Sequence, residues 1–255
     1  MKILIGTPAF GGQVTTTYVE ALLWLLDHFR EKRPEIRFEP KLLSSSILPF
    51  LRNLYASLVL EDESYSHLLF IDADMGFGPV LVERMLEADK PVVGAMSPHR
   101  ALDLARFYAL KDRIADPNVA RLVAIDYVNA GSVLQRSPGE IAMHGACVRV
   151  SKTGAGVLLI RRDALEAMKA RYPELWCERI ADSYARFGLR TGVLQCFEPL
   201  PNEDGLYGGE DAAFCRRWTE GCGGEIWSVV TENVVHVGPE KFVGNYLAKL
   251  RHGFA

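Results

Sequence analysis

The sequence predicts an α/β protein with a single Rossmann-like mixed sheet, mostly parallel and flanked by helices. Two observations carry that prediction. Strand-type and helix-type patterns alternate as β-α-β-α-β-α-β from Lys2 to Met96, an order that gives parallel strands joined by right-handed crossovers. The run Leu68-Leu69-Phe70-Ile71 is apolar without alternation, the pattern of a strand buried on both faces of such a sheet. A chain of 255 residues is long enough for one large α/β domain and too short to demand two.

Each element follows from local pattern. Lys2 to Gly6 reads as the first strand. Tyr18 to Lys32 reads as a helix with Ala21, Leu22, Leu25, Leu26 and Phe29 on one face, N-caps offered by Thr15 to Thr17, and Pro34 closing it. Arg37 to Leu43 is the second strand, Pro49 to Leu60 the second helix, Pro79 to Ala88 the third, and Pro91 to Met96 the next strand. Beyond Ser97 the periodicity weakens. Arg121 to Asn129 is expected as a strand, with further strand pieces at Val148 to Val150 and Gly156 to Ile160. Helices are expected over Arg162 to Arg171 and Asp211 to Gly221, a strand over Glu225 to Val230, and a terminal helix over Phe242 to Arg251.

Composition narrows the function classes. Hydrophobic residues make up 49% and charged residues 24%, with a net charge of −3; this is the balance of a globular protein with no basic field to recruit nucleic acid. The N-terminus reads as a strand rather than a signal peptide, and no apolar run reaches the length of a membrane span. The five cysteines are odd in number and form no C-x-x-C pair, so mostly buried, reduced thiols in the cytoplasm are expected.

The buried strand ends in Asp72-Ala73-Asp74, followed by Met75-Gly76-Phe77. Acids at the carboxyl end of a parallel strand lie where open α/β sheets bind ligands. Two carboxylates there suit a hard divalent cation able to hold phosphate oxygens. An Asx-type turn accounts for the same acids without a ligand. Further on, Tyr207-Gly208-Gly209-Glu210-Asp211 puts two acids behind two glycines at a helix start. The helix dipole favours acids there, and a base with a neighbouring acid to orient a hydroxyl is the chemical alternative. Val234-Val235-His236-Val237 ends a strand in one histidine before Gly238-Pro239, with Lys241 close behind. That imidazole is either structural or a metal ligand, and the ammonium could meet a phosphate.

Taken in order, IDADMGF, TGAGVLLIRRDAL, YGGEDAAFCRRW and VVHVG resemble a nucleotide-sugar glycosyltransferase of the GT-A fold, family-2-like, across most of the chain. The resemblance implies one domain over 1–255, with a nucleotide-binding part at about 1–100 and an acceptor and catalytic part at about 101–255. It implies Asp74 and His236 as ligands of Mn2+ or Mg2+, with Asp72 on the ribose or the metal's water shell. It places the base on Asp211 and an acceptor contact on Glu210. Thr7-Pro8-Ala9 match the loop that touches the nucleobase, Arg52-Asn53 the pair that lines the donor pocket, and Lys241 a phosphate contact. The donor would be UDP- or GDP-linked, and the acceptor a saccharide, polysaccharide or lipid-linked hydroxyl, reached with inversion in a hexosyltransferase-like reaction. Two departures stand out: Tyr207 replaces the tryptophan of the inverting galactosyltransferases, and Lys241 is spaced differently from the lysine of retaining families.

A retaining enzyme with the same metal site and a non-catalytic carbohydrate-binding relative are the alternatives. Sugar-phosphate nucleotidyltransferases open with a basic glycine-rich loop, and Ala9 to Thr17 contains no lysine or arginine. Lys152-Thr153-Gly154-Ala155-Gly156 lacks the spacing of a phosphate loop. His99 and Arg100 either edge the donor pocket or are solvated. Trp176, Tyr184, Phe187 and Trp218 are core residues or acceptor platforms, and Arg186, Arg190, Arg216 and Arg217 are read as solvated or paired. The basic amphipathic tail Tyr246 to His252 either packs or touches the inner face of a membrane.

Overall fold

The computed structural model describes residues 1–141, 143–179, 182–202, 204–238 and 241–253. In chain order the first part is β1 (Lys2–Pro8), α1 (Thr16–Lys32), β2 (Arg37–Leu43), α2 (Leu48–Glu61), β3 (His67–Ile71), β4 (Met75–Phe77), α3 (Val80–Glu87) and β5 (Val92–Ala95). There follow β6 (Pro98–Leu102), α4 (Leu104–Ala109), α5 (Pro117–Ala124), β7 (Ile125–Tyr127), β8 (Gln135–Ser137), β9 (Glu140–Ile141), β10 (Met143–His144) and β11 (Cys147–Val150). The last part is β12 (Val157–Arg161), α6 (Arg162–Arg171), β13 (Trp176–Cys177), α7 (Asp182–Ala185), β14 (Val193–Leu194), α8 (Glu210–Arg216), β15 (Ile226–Val229), β16 (Val234–Val237), β17 (Lys241–Gly244) and α9 (Tyr246–Arg251).

An eight-stranded sheet in the order β10-β11-β15-β5-β12-β3-β1-β2 forms the centre. Only β11 and β12 run against the other six strands. The fold is therefore the mixed, mostly parallel α/β sheet that the alternation predicts. One core packs α2 and α6 against one face through Leu54, Tyr55, Phe70 and Leu165. A second packs α1 and α3 against the other through Leu25, Phe29, Leu81 and Met85. Two-faced covering explains why β3 has no polar alternation: all five of its residues are buried.

The caps hold as expected at α1, where the Thr15 hydroxyl accepts from the Tyr18 N–H at 3.1 Å. Elsewhere tertiary context overrides local pattern. Residues expected as one strand over Arg121 to Asn129 divide into the end of α5, capped by Asp116, and the short β7. The expected terminal helix from Phe242 starts instead with β17, which pairs with β16, and only α9 is helical. The Gly238-Pro239 turn lies partly outside the described residues. Beyond α8, Arg217 to Gly221 form a wider π turn.

Several side chains settle as structural. Trp218 donates its indole N–H to the Glu225 carbonyl at 2.9 Å, and Arg217 is buried with its guanidinium on the Cys196 and Glu198 carbonyls, not solvated. The tail helix α9 packs inward, with Tyr246 against Tyr127 and Lys249 near Asp126 at 3.5 Å. Among the described residues, no helix is long and apolar enough to cross a membrane. All five cysteines are unpaired, and burial pushes Cys147 up to about 11 and Cys196 and Cys215 to about 12.

Gly6 in β1 is a point of close approach, since a Cβ there would lie 2.7 Å from the Tyr55 ring. Tyr55 is fully buried and donates its hydroxyl to the Thr7 carbonyl at 2.8 Å, so the ring has little room to yield. Gly6→Ala is expected to cost about 1–3 kcal/mol of stability through overpacking, read as a lowered midpoint in urea with an unchanged m-value.

Candidate functional site

The two acids at the end of β3 do not face the same partner. The turn carrying them is pinned on three sides: the Asp72 N–H donates to the Gly156 carbonyl at 2.8 Å, the Thr15 N–H to the Ala73 carbonyl at 2.9 Å, and the Val237 N–H to the Asp74 carbonyl at 2.9 Å. Asp72 turns to Arg52 on α2, whose Nη2 reaches both carboxylate oxygens at 3.0 and 3.2 Å. The same guanidinium donates through Nε to Glu210 at 3.1 Å and lies 4.8 Å above the Phe70 ring. Arg52 is only 2% exposed. Burial works against its charge, yet the carboxylates of Asp72 and Glu210 hold it above its ordinary value.

Asp74 turns the other way, and here the register of a second sheet matters. β4 pairs antiparallel with β16, placing His236 opposite Met75. Gly76 lets α1 pack closely on this ribbon, because a Cβ there would strike the Thr17 side chain at 2.3 Å. His236 Nε2 consequently lies 3.6 Å from Asp74 Oδ2. Its Nδ1 lies 2.9 Å from the Pro98 carbonyl, an acceptor, so Nδ1 carries the proton and Nε2 the lone pair. Between the two sits the guanidinium of Arg100 from β6: Nε donates to His236 Nε2 at 2.9 Å, and Nη2 is paired with Asp74.

The Gly208-Gly209 segment leads into α8, whose first two residues are Glu210 and Asp211. Glu210 is tied to Arg52, whereas Asp211 accepts from the Ala212 N–H at 2.7 Å. Its Oδ2 lies 3.7 Å from where a Cβ of Gly154 would stand. Burial raises the Asp211 carboxyl above the usual range, and the neighbouring Glu210 charge adds to this.

A cavity of about 450 Å³ opens at this edge, within the size range of small-molecule sites. Pro8, Phe10, Thr15, Asp72, Asp74 and Arg100 are among the residues that line it. Phe10 is 75% exposed there and precedes Gly11 and Gly12, both at positive φ. The sequence signal for it is an aromatic residue followed by two glycines at the end of β1.

Other expected site residues are placed elsewhere. Thr7 is fully buried, with its hydroxyl 2.7 Å from that of Tyr18, and Ala9 is buried beside it; of the three loop residues only Pro8 lines the cavity. Arg52 lies beneath the acids instead of lining the pocket. Asn53 has both amide ends engaged, donating to Glu198 and accepting from the Phe197 N–H, each at 2.8 Å; it is a core tie between α2 and the Phe197 segment. Lys241 is exposed and pairs in register with Val237, the residue after His236. Alternation along the strand puts it on the opposite face of the ribbon from the imidazole.

The expected ligand set Asp72, Asp74 and His236 is also divided. Among the described residues no three His, Cys, Asp or Glu side chains converge as a cation site. A carboxylate oxygen and an imidazole lone pair do converge, at Asp74 and His236. The carboxylate suits a hard divalent cation that takes further ligands from a bound phosphate and water, and the imidazole favours a transition-metal ion over Mg2+; the pair does not make a complete protein cage.

No family model and no curated protein matches the chain. Among solved structures it is similar to A197 from STIV, 15% identical, over 96% of this chain and 95% of that one at a TM-score of 0.46. It is similar to GalNAc-T7 with UDP, GalNAc and Mn2+, 12% identical, over 93% of this chain and 43% of that one at 0.44. A putative glucose-1-phosphate thymidylyltransferase from Bacillus anthracis in complex with a sucrose is 11% identical, over 74% and 84% at 0.32. None of these likenesses transfers a residue role to this chain.

Removing Arg52 would leave Asp72 and Glu210 without their shared counter-charge. Arg52→Ala is expected to cost about 3 kcal/mol, the low end for a broken buried pair because Asp72 is partly open to water; adding Asp72→Asn should recover part of it in a denaturant titration. Asp211 holds its proton more tightly folded than unfolded, so its contribution to stability falls as pH rises from the ordinary carboxylate range through its raised value. Asp211→Asn is therefore expected to melt at a higher temperature than wild type at pH 7, with the difference shrinking toward pH 4, in paired thermal melts.

Proposed function

We propose that the protein is a glycosyltransferase that moves a sugar from a nucleoside-diphosphate sugar to a hydroxyl acceptor, with inversion and with Asp211 as base. The observation that carries this reading is the Asp72–Arg52–Glu210 network, which ties Asp72, at a cavity that Asp74 and Arg100 also line, to the helix start carrying Asp211, a carboxyl of raised proton affinity. A phosphate-bearing donor suits the first, and a hydroxyl to be deprotonated suits the second.

In this reading the acceptor hydroxyl gives its proton to Asp211 as its oxygen bonds to the sugar's anomeric carbon. The bond from that carbon to the phosphate oxygen breaks, and its electron pair leaves with the nucleoside diphosphate. Asp74 and His236 would hold Mn2+ or Mg2+, which when bound neutralises charge on the leaving phosphates. Glu210, fixed by Arg52, positions the helix start that presents Asp211. Phe10 offers an exposed ring at the cavity rim for the nucleobase. The exposed Leu206 and Tyr207 beside the glycines border the side from which an acceptor would approach.

Calorimetric titration with UDP and GDP, with and without Mn2+, tests the donor assignment, and one nucleotide is expected to bind. With the matching sugar conjugate, Asp211→Asn is expected to lower kcat about 10²–10⁴-fold while leaving donor affinity within about twofold. Full activity in that variant, or a product of retained anomeric configuration by NMR, would move the base away from Asp211.

A further inference from the structure

The place that a cation would take between Asp74 and His236 is filled by a side chain of the protein itself. Arg100 can only donate, so the lone pair of His236 Nε2 points at its Nε at 2.9 Å, and the Asp74 carboxylate takes the Nη2 end. The seat is shaped for this side chain: a Cβ on Gly238 would stand 2.8 Å from Arg100 Cδ and 3.3 Å from its Cβ and Cγ. Yet Arg100 is 45% exposed and lines the cavity, so it is held at the surface and free to exchange partners. Two of its five N–H groups are spent on Asp74 and His236, leaving three for other acceptors.

Charge balance says what the exchange is for. Among the described residues, the ion pairs at this edge set Asp72, Asp74 and Glu210 against Arg52 and Arg100, and Asp211 adds a fourth acid. A diphosphate entering alone would add anionic charge to an acidic surplus. Entering with a divalent cation, it brings its own neutralisation, and the cation competes with Arg100 for the same two donor atoms. The displaced guanidinium then has phosphate oxygens beside it, which it can meet with two parallel hydrogen bonds.

We propose that Arg100 is the counter-ion of the Asp74–His236 pair before the donor arrives and the ligand of the donor's phosphates afterwards, so that divalent cation and nucleoside diphosphate bind as a coupled pair. This rests on the nucleotide-sugar reading above. Coupling between two ligands is reciprocal: each is expected to raise the other's affinity, and Arg100 is the element that links them.

The test is calorimetric titration of Mn2+ alone, and of UDP and GDP with and without Mn2+, into wild type, Arg100→Gln and Arg100→Lys. Wild type is expected to bind Mn2+ about tenfold more tightly with nucleotide present than without it. Arg100→Gln, whose stem still fills the Gly238 seat, is expected to bind Mn2+ alone about tenfold more tightly than wild type, and the nucleotide with Mn2+ about 10–100-fold less tightly, the range for a lost charged hydrogen bond. Arg100→Lys keeps the charge and is expected to bind Mn2+ alone as wild type does. Nucleotide binding by wild type together with unchanged or weaker Mn2+ binding in Arg100→Gln overturns the counter-ion role. Failure of wild type to bind either nucleotide with Mn2+ overturns the donor reading and, with it, the phosphate role of Arg100.

Discussion

A guanidinium almost sealed from water, that of Arg52, is shared between the carboxylates of Asp72 and Glu210, and the order of the whole sheet edge depends on it. Asp72 follows β3, in the first third of the chain, and Glu210 opens α8, 138 residues later. Without a cation between them, two acids on neighbouring elements would repel and draw water into the core. With it, each acid has one orientation. The Phe70 ring beneath the guanidinium adds a cation–π contact, and Asn53, one residue along α2, fixes the Phe197 segment by two further hydrogen bonds. α2 thus acts as the keel to which both halves of the site are fastened.

The site uses its two arginines in opposite ways. Arg52 is buried, bound to two carboxylates and unavailable to any ligand; it converts charge into position. Arg100 is half in water, seated on a carboxylate and an imidazole over a glycine, and its bonds can be traded. The same chemistry gives a fixed strut in one environment and an exchangeable cation in the other, because desolvation makes the loss of a partner costly for the first and cheap for the second. Asp211 accepts a hydrogen bond from the Ala212 backbone N–H, and its raised proton affinity follows from burial and the neighbouring Glu210 charge.

The strand and helix elements of the first third were legible because each has a period or cap that tertiary contacts reinforce. The apolar run of β3 and the Thr15 cap are examples. The tail was not: only Tyr246 to Arg251 carries a helical pattern, and pairing to β16 draws the β-type and glycine residues of Lys241–Gly244 into a strand. The acids of the site could be named from the sequence, as could His236. The roles of Arg52, Asn53 and Lys241 could not, because each is decided by which way a side chain turns. Lys241 shows this plainly: one step of strand alternation takes its ammonium to the face opposite His236.

By itself, then, the sequence determined an α/β sheet with acids at the carboxyl end of a doubly buried strand, since hydrophobic period and strand-terminal chemistry are local properties. Tertiary structure alone decided that Asp72 and Asp74 part company, one to Arg52 and the other to His236 and Arg100. The physical reason is that partner choice for a charge depends on what the fold brings within about 4 Å, and no spacing along the chain records the pairing of β4 with β16 or the descent of α2 beneath the turn.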